Sequence, residues 1–119
     1  MSRPIHFEIA AEDLDKLSAF YSDVFGWQFS KWDGPMEYRL ITTGPDGQPG
    51  INGGLMKKEH LTGTVNTIGV ESIDAALEKV KAAGGDVLTP KMDIPNIGAF
   101  AYCADPEGNP FGIIQPAAS

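Results

Sequence analysis

The chain carries one cysteine, Cys103, so an internal disulfide is impossible and packing and hydrogen bonds must hold the fold. It is also short of bases. Nine lysines and arginines stand against 16 acids, a net charge of −7, and the bases form no cluster, which argues against nucleic acid as a partner. No apolar run approaches the roughly 20 residues of a membrane helix, and no basic-then-apolar leader stands at the N-terminus. The expected location is the cytoplasm, with no membrane partner, where a lone thiol stays reduced. Histidine is scarce as well: there are only His6 and His60, and His60 falls in a polar connector running from Lys57 to Thr64.

What remains is an ordinary globular composition, 42% hydrophobic and 21% charged, in 119 residues. That length suits a single domain over residues 1–119 with one core. The acidity keeps such a chain soluble and is compatible with a cationic small ligand. Cys103 alternates with Ala99 and Ala101 on a strand-like run, which places it as a buried, inert thiol rather than a nucleophile.

The chain repeats itself at an offset of about 59 residues, with Ile9 on Ile68, Glu12 on Glu71, Asp15 on Asp74 and Gly26 on Gly85. Each copy opens on a short apolar strand, His6–Ala10 or Val65–Val70. A helix-start residue follows, Asp13 or Ser72, whose side-chain oxygen can accept from a free N–H of the first turn. Leu14, Leu17, Tyr21 and Val24 then recur at helical spacing, as do Ile73, Ala76, Leu77, Val80 and Ala83, so each helix offers one apolar stripe to a sheet. Gly26 and Gly84-Gly85 stand where a left-handed stop is wanted.

Three strands are expected after each helix. In the first copy they are Trp27–Trp32, Glu37–Ile41 and Ile51–Met56, with a loop dense in glycine and proline over 44–50. In the second they are Asp86–Thr89, stopped by Pro90, then Ala99–Ala104, with Phe100 and Tyr102 on one face, and Phe111–Gln115. Residues 94–98 read as a turn, and Asp105–Pro110 as another, with proline second and glycine fourth.

A β-α-β-β-β module present twice, together with Phe20-Tyr21-Ser22-Asp23-Val24-Phe25-Gly26-Trp27, the helix from Ile73-Asp74-Ala75-Ala76 to Gly84-Gly85, and the run Asp105-Pro106-Glu107-Gly108-Asn109-Pro110-Phe111-Gly112, resembles the vicinal oxygen chelate superfamily. That superfamily includes glyoxalase I, bleomycin-resistance proteins, fosfomycin-resistance enzymes and extradiol dioxygenases. The run Asp93–Gly98 is similar to a bacterial branch described as related to lactoylglutathione lyase. The resemblance implies an α+β fold, two tandem βαβββ modules over about 4–58 and 64–116, whose glyoxalase-like mixed sheet curls around a cup. It also implies a homodimer, with helix regions such as Leu17–Tyr21 available to a partner.

Metal-dependent members take a His, Glu or Gln from the first and fourth strands of each module. Carried onto this sequence, those positions are His6, Gly54, Val65 and Gly112, so one imidazole stands where four ligands are expected. Asn66 faces the other way on its strand, Asn52 offers only a neutral amide, Glu8 is the one acid on the His6 face, and Gln115 is expected to point away from Phe111 and Ile113. The expectation is therefore a metal-free protein that binds a small organic molecule through His6, Glu8, Tyr38, Asn52, Phe100 and Tyr102, with no metal ligands assigned. The alternative is a metal-dependent lyase, isomerase or dioxygenase with an atypical ligand set. His6 beside Glu8 also offers a metal-free acid–base pair, and a cup filled by its own side chains would leave only an interaction module.

Overall fold

The computed structural model describes residues 2–34, 36–58 and 63–117, which gather into two compact units: His6–Val65, and residues 66–117 with residues 2–5. His60 and the middle of the expected connector lie outside the described residues. Lys57 and Thr64, placed in that connector from sequence, instead belong to strands.

The first unit contains most of β1 (Arg3–Ala11), then α1 (Leu14–Phe25), β2 (Gln28–Lys31), β3 (Tyr38–Thr42) and β4 (Gly53–Lys57). Its strands lie in the order β2-β3-β4-β1, antiparallel except for the parallel pair β1 and β4. A parallel pair needs a long crossover, and α1 with the β2–β3 hairpin supplies it. Asp13 caps α1 by accepting from the Lys16 N–H at 3.0 Å, and Gly26, at φ 76°, closes it through a bond to the Ser22 carbonyl. Alternation on β1 turns Ile9 and Ala11 toward α1, where they are buried with Leu14, Ile41 and Leu55. Phe7, Leu17, Tyr21, Trp27 and Phe29 pack around that cluster.

Val24, expected on the buried stripe of α1, is instead 54% exposed. The packed stripe ends one turn earlier at Tyr21, whose ring stacks on Trp27 with centroids 5.0 Å apart. Arg39 ties α1 to β3 by donating to Ser18 Oγ at 3.0 Å and pairing with Asp15.

The second unit repeats the order with β5 (Thr64–Gly69), α2 (Ile73–Ala82), β6 (Asp86–Val87), β7 (Met92–Ile94), β8 (Gly98–Ala104) and β9 (Pro110–Pro116). Its strands run β5-β9-β8-β6, β7 pairs β8 separately, and β5 and β9 are the parallel pair. Ile73, Ala101, Cys103 and Ile113 form its core, with α2 packed through Ala76, Leu77 and Val80. Cys103 is fully buried, and burial pushes its thiol pKa up, as expected of an inert core cysteine.

Three details differ from the sequence reading. The expected strand Asp86–Thr89 ends at Val87, because the Leu88 and Thr89 N–H groups both turn onto the Tyr102 carbonyl, at 2.9 and 3.3 Å. Met92–Ile94, where no strand is expected and Ile94 begins the expected turn, forms β7 between Pro90 and Pro95, since an edge strand tolerates prolines at its ends. Gln115 does not point away from Phe111 and Ile113: strand alternation places all three on the α2 face, where Gln115 Oε1 accepts from the Ile73 N–H at 2.9 Å. The expected turn at Asp105 forms, with its carboxylate accepting from the Glu107 and Asn109 N–H groups, both at 2.9 Å. The Asn109 amide and these backbone donors hold the Asp105 carboxyl below its usual pKa.

Candidate functional site

The helix covers one face of each unit's sheet and leaves the other face for candidate site residues. In the first unit that face carries His6 and Glu8 from β1, Tyr38 from β3 and Gly54 from β4, all alternate to the residues packed on α1. His6 Nε2 and Tyr38 Oη, 32 residues apart in sequence, are hydrogen-bonded at 2.9 Å. The structure thus joins two predicted site residues directly. Burial holds the His6 imidazole below its ordinary pKa, opposed by the Glu8 carboxylate, which raises it. Glu8 itself is buried, with 7% of its surface exposed.

Tyr38 also fills the place of an absent side chain. A Cβ built on Gly54 would lie 1.7 Å from Tyr38 Oη and 2.0 Å from its Cζ. Tyr38 is paired with Met56, two residues along β4 from Gly54, so its ring leans diagonally across the glycine. Trp32 meets that ring edge-on, with centroids 5.9 Å apart.

The second unit uses the same device. Phe100 is paired with Ile114, two residues along β9 from Gly112, and a Cβ on Gly112 would lie 2.8 Å from Phe100 Cζ. Phe100 is 8% exposed and meets Tyr102 edge-on, with centroids 4.6 Å apart. These two predicted residues are therefore together, Phe100 as a buried plug and Tyr102 half-buried beside it. Asn52 is placed elsewhere. It precedes β4, is exposed, and its amide oxygen accepts from the Thr43 N–H at 2.9 Å, which anchors the loop between β3 and β4.

Sequence reasoning passed over Thr67. It is 1% exposed, and its Oγ1 has no hydrogen-bond partner among the described residues. Leaving a buried hydroxyl unpaired costs about 1–3 kcal/mol. Its position was nevertheless encoded: Glu8 pairs with Gly54 and Thr67 with Gly112, so the two polar residues are equivalents in the repeat. Trp32 was also passed over. Its alternating run read only as one strand of a hairpin.

At the four positions to which the resemblance carries metal ligands, the side chains are one imidazole, two glycines and a valine. His6 Nε2 is engaged with Tyr38, rings occupy the side-chain space of Gly54 and Gly112, and Val65 is a buried hydrocarbon, 2% exposed. Among the described residues, no group of three or more His, Cys, Asp or Glu side chains is arranged to hold an ion.

Two halves that share a β-α-β-β-β order, the second with β7 added beside β8, each with a parallel first and last strand, define a glyoxalase-like α+β protein. Residues 3–113 match the Glyoxalase/Bleomycin resistance protein/Dioxygenase superfamily, and the chain belongs to it. CFP32 of Mycobacterium tuberculosis, whose name carries the word glyoxylase, is 33% identical over 116 residues, covering 92% of this chain and 42% of that protein. The chain thus spans less than half the length of that relative. The lactoylglutathione lyase of Haemophilus influenzae is 30% identical over 122 residues, covering 93% of this chain and 90% of that one. The solved methylmalonyl-CoA epimerase of Mycobacterium tuberculosis superposes with a TM-score of 0.72 at 16% identity, over 97% of this chain and 88% of that one, a likeness of fold. Among the described residues no helix is long and apolar enough to cross a membrane.

Proposed function

We propose that this chain is a metal-free member of its superfamily that binds a small organic molecule on the sheet faces opposite its helices. The observation that carries this reading is the pair of aromatic rings, Tyr38 over Gly54 and Phe100 over Gly112, in the places where relatives project metal ligands. An ion bound in the family's manner would have to take His6 Nε2 from Tyr38 and would find no carboxylate at either glycine. Aromatic walls with a few polar groups favour small, largely apolar ligands. Tyr38 and Trp32 provide such a wall beside His6 in one unit, and Phe100 and Tyr102 provide one in the other. The reading includes a cytoplasmic location, supported by the lone buried thiol of Cys103, and the family's homodimer, which sedimentation velocity would test.

The test is metal content of protein purified without chelator, followed by thermal melting with Ni, Zn, Mn and Fe(II). A specifically bound ion at a hundredfold excess over its dissociation constant adds about 2.7 kcal/mol and raises the melting temperature. We expect no metal-specific rise. One ion per chain, lost on His6→Ala, would sink the proposal and favour a metal-dependent lyase or isomerase. That second reading draws support from His6 at the first-strand position and from the lactoylglutathione lyase relative.

A further inference from the structure

We infer that Thr67 and Phe100 form a closed polar subsite for a neutral carbonyl compound, in which Phe100 swings off Gly112 and the Thr67 hydroxyl donates to the ligand's oxygen. The inference rests on the metal-free binding reading and specifies the ligand chemistry on one of its two faces.

Three observations lead to it. Thr67 Oγ1 is buried without a hydrogen-bond partner among the described residues, although a valine of the same shape would fill the site at no polar cost. Second, Thr67 Oγ1 and the Phe100 ring share the space over the bare Cα of Gly112, lying 3.1 Å (Oγ1) and 2.8 Å (Cζ) from a Cβ built there. Finally, the ring that shares this space with the hydroxyl is the far end of one side chain. Phe100 rests on a glycine, so turning about its own χ angles would uncover space that no Cβ obstructs.

The chemistry narrows the ligand. A single neutral hydroxyl offers one donor and supplies no charge, so neither an ammonium nor a carboxylate gains enough from it to leave water. A ketone, aldehyde or amide oxygen accepts one hydrogen bond at low desolvation cost, and an attached ring or chain can take the place of Phe100 against Tyr102. The equivalent residue in the first unit, Glu8, is a carboxylate, so this preference for a neutral oxygen belongs to the second unit.

The probe pair is acetophenone and ethylbenzene, which match in shape and differ in the carbonyl. Binding to the full chain would be followed by NMR of the Phe100 ring in wild type, Thr67→Val and Thr67→Ser, and of the Thr67 methyl in wild type. We expect acetophenone to shift both signals and to bind about tenfold more tightly than ethylbenzene, the worth of roughly one hydrogen bond. In Thr67→Val the preference should vanish while the ligand-free melting temperature stays level or rises, and Thr67→Ser should restore the preference. An unchanged preference in Thr67→Val, or a fall in its melting temperature like that from losing a satisfied hydrogen bond, overturns the inference. Acetophenone bound elsewhere, leaving the Thr67 and Phe100 signals unmoved, overturns the subsite and leaves the binding reading standing. A stoichiometric ion lost on His6→Ala defeats the binding reading itself.

Discussion

Replacing Gly54 by alanine should evict the Tyr38 ring. The new Cβ would stand 1.7 Å from Tyr38 Oη and 2.0 Å from its Cζ, and because these atoms are the far end of a side chain, the ring moves rather than the sheet. Three terms set the size of the effect. The 2.9 Å bond between His6 and Tyr38 is lost, costing about 1 kcal/mol. The edge contact between Trp32 and Tyr38 is lost as well, for about another 1 kcal/mol. Against these, alanine is better than glycine inside a strand by about 0.5–1 kcal/mol. The net is a destabilisation of about 1 kcal/mol, read as a lower midpoint in urea unfolding at unchanged slope. The decisive measurement is a double-mutant cycle. With Tyr38→Ala in place there is no ring to evict, so Gly54→Ala should change sign and become stabilising by about 0.5–1 kcal/mol. If Gly54→Ala costs the same in both backgrounds, the ring is not what occupies the glycine's space and the reasoning is wrong.

Gly53→Ala should be worse than its neighbour by a different route: its Cβ meets the Phe7 backbone carbonyl at 2.5 Å, and that atom belongs to the paired strand and cannot swing away. A loss of about 2–3 kcal/mol, indifferent to Tyr38→Ala, is expected from the same unfolding assay. His6 gives a pH signature. Its folded pKa is depressed, so as pH falls below the unfolded value of about 6.5 the unfolded chain takes up the proton first and stability drops until the folded pKa is passed. Melting temperatures compared with His6→Gln through that window should diverge at neutral pH and converge below it, and an imidazole titrating above its free value by NMR would contradict the burial argument.

How much of this could be read in the chain depends on distance along it. The repeat, both helix caps and the Asp105 turn rest on neighbours a few residues apart, and Asp13, Gly26, Ser72 and Asp105 all do what their local chemistry dictates. The missing ligands at Gly54 and Gly112 were legible too, being a matter of counting along an aligned repeat. What fills their space was not. Tyr38 reaches Gly54 only because β3 and β4 pair in one register and not in another, and a slip of one residue would turn the ring to the opposite face. The same applies to His6 and Tyr38, which meet through two successive strand pairings. The local task of Asn52 was not legible either, because an amide in sequence looks available, whereas the loop uses its oxygen on Thr43. Thr67 was overlooked although its equivalence to Glu8 lay in the offset already found. A threonine in a strand is unremarked until its hydroxyl is seen to lack a partner.

The parallel pairing inside each unit also sets an order of assembly as the chain leaves the ribosome. The first parallel pair can close once Leu55 has joined Ile9, and the strands and helix of that unit are then all present. In the second unit Thr67 must wait for Gly112, and α2, whose first N–H is held by Gln115, must wait slightly longer. Domains form from the N-terminal side during synthesis, and long-range parallel pairs are slow to close. The half of the chain nearer its start should therefore be native-like while the later half is still an unpaired strand and an incompletely capped helix, and that interval is when the newborn protein is most exposed to misassociation.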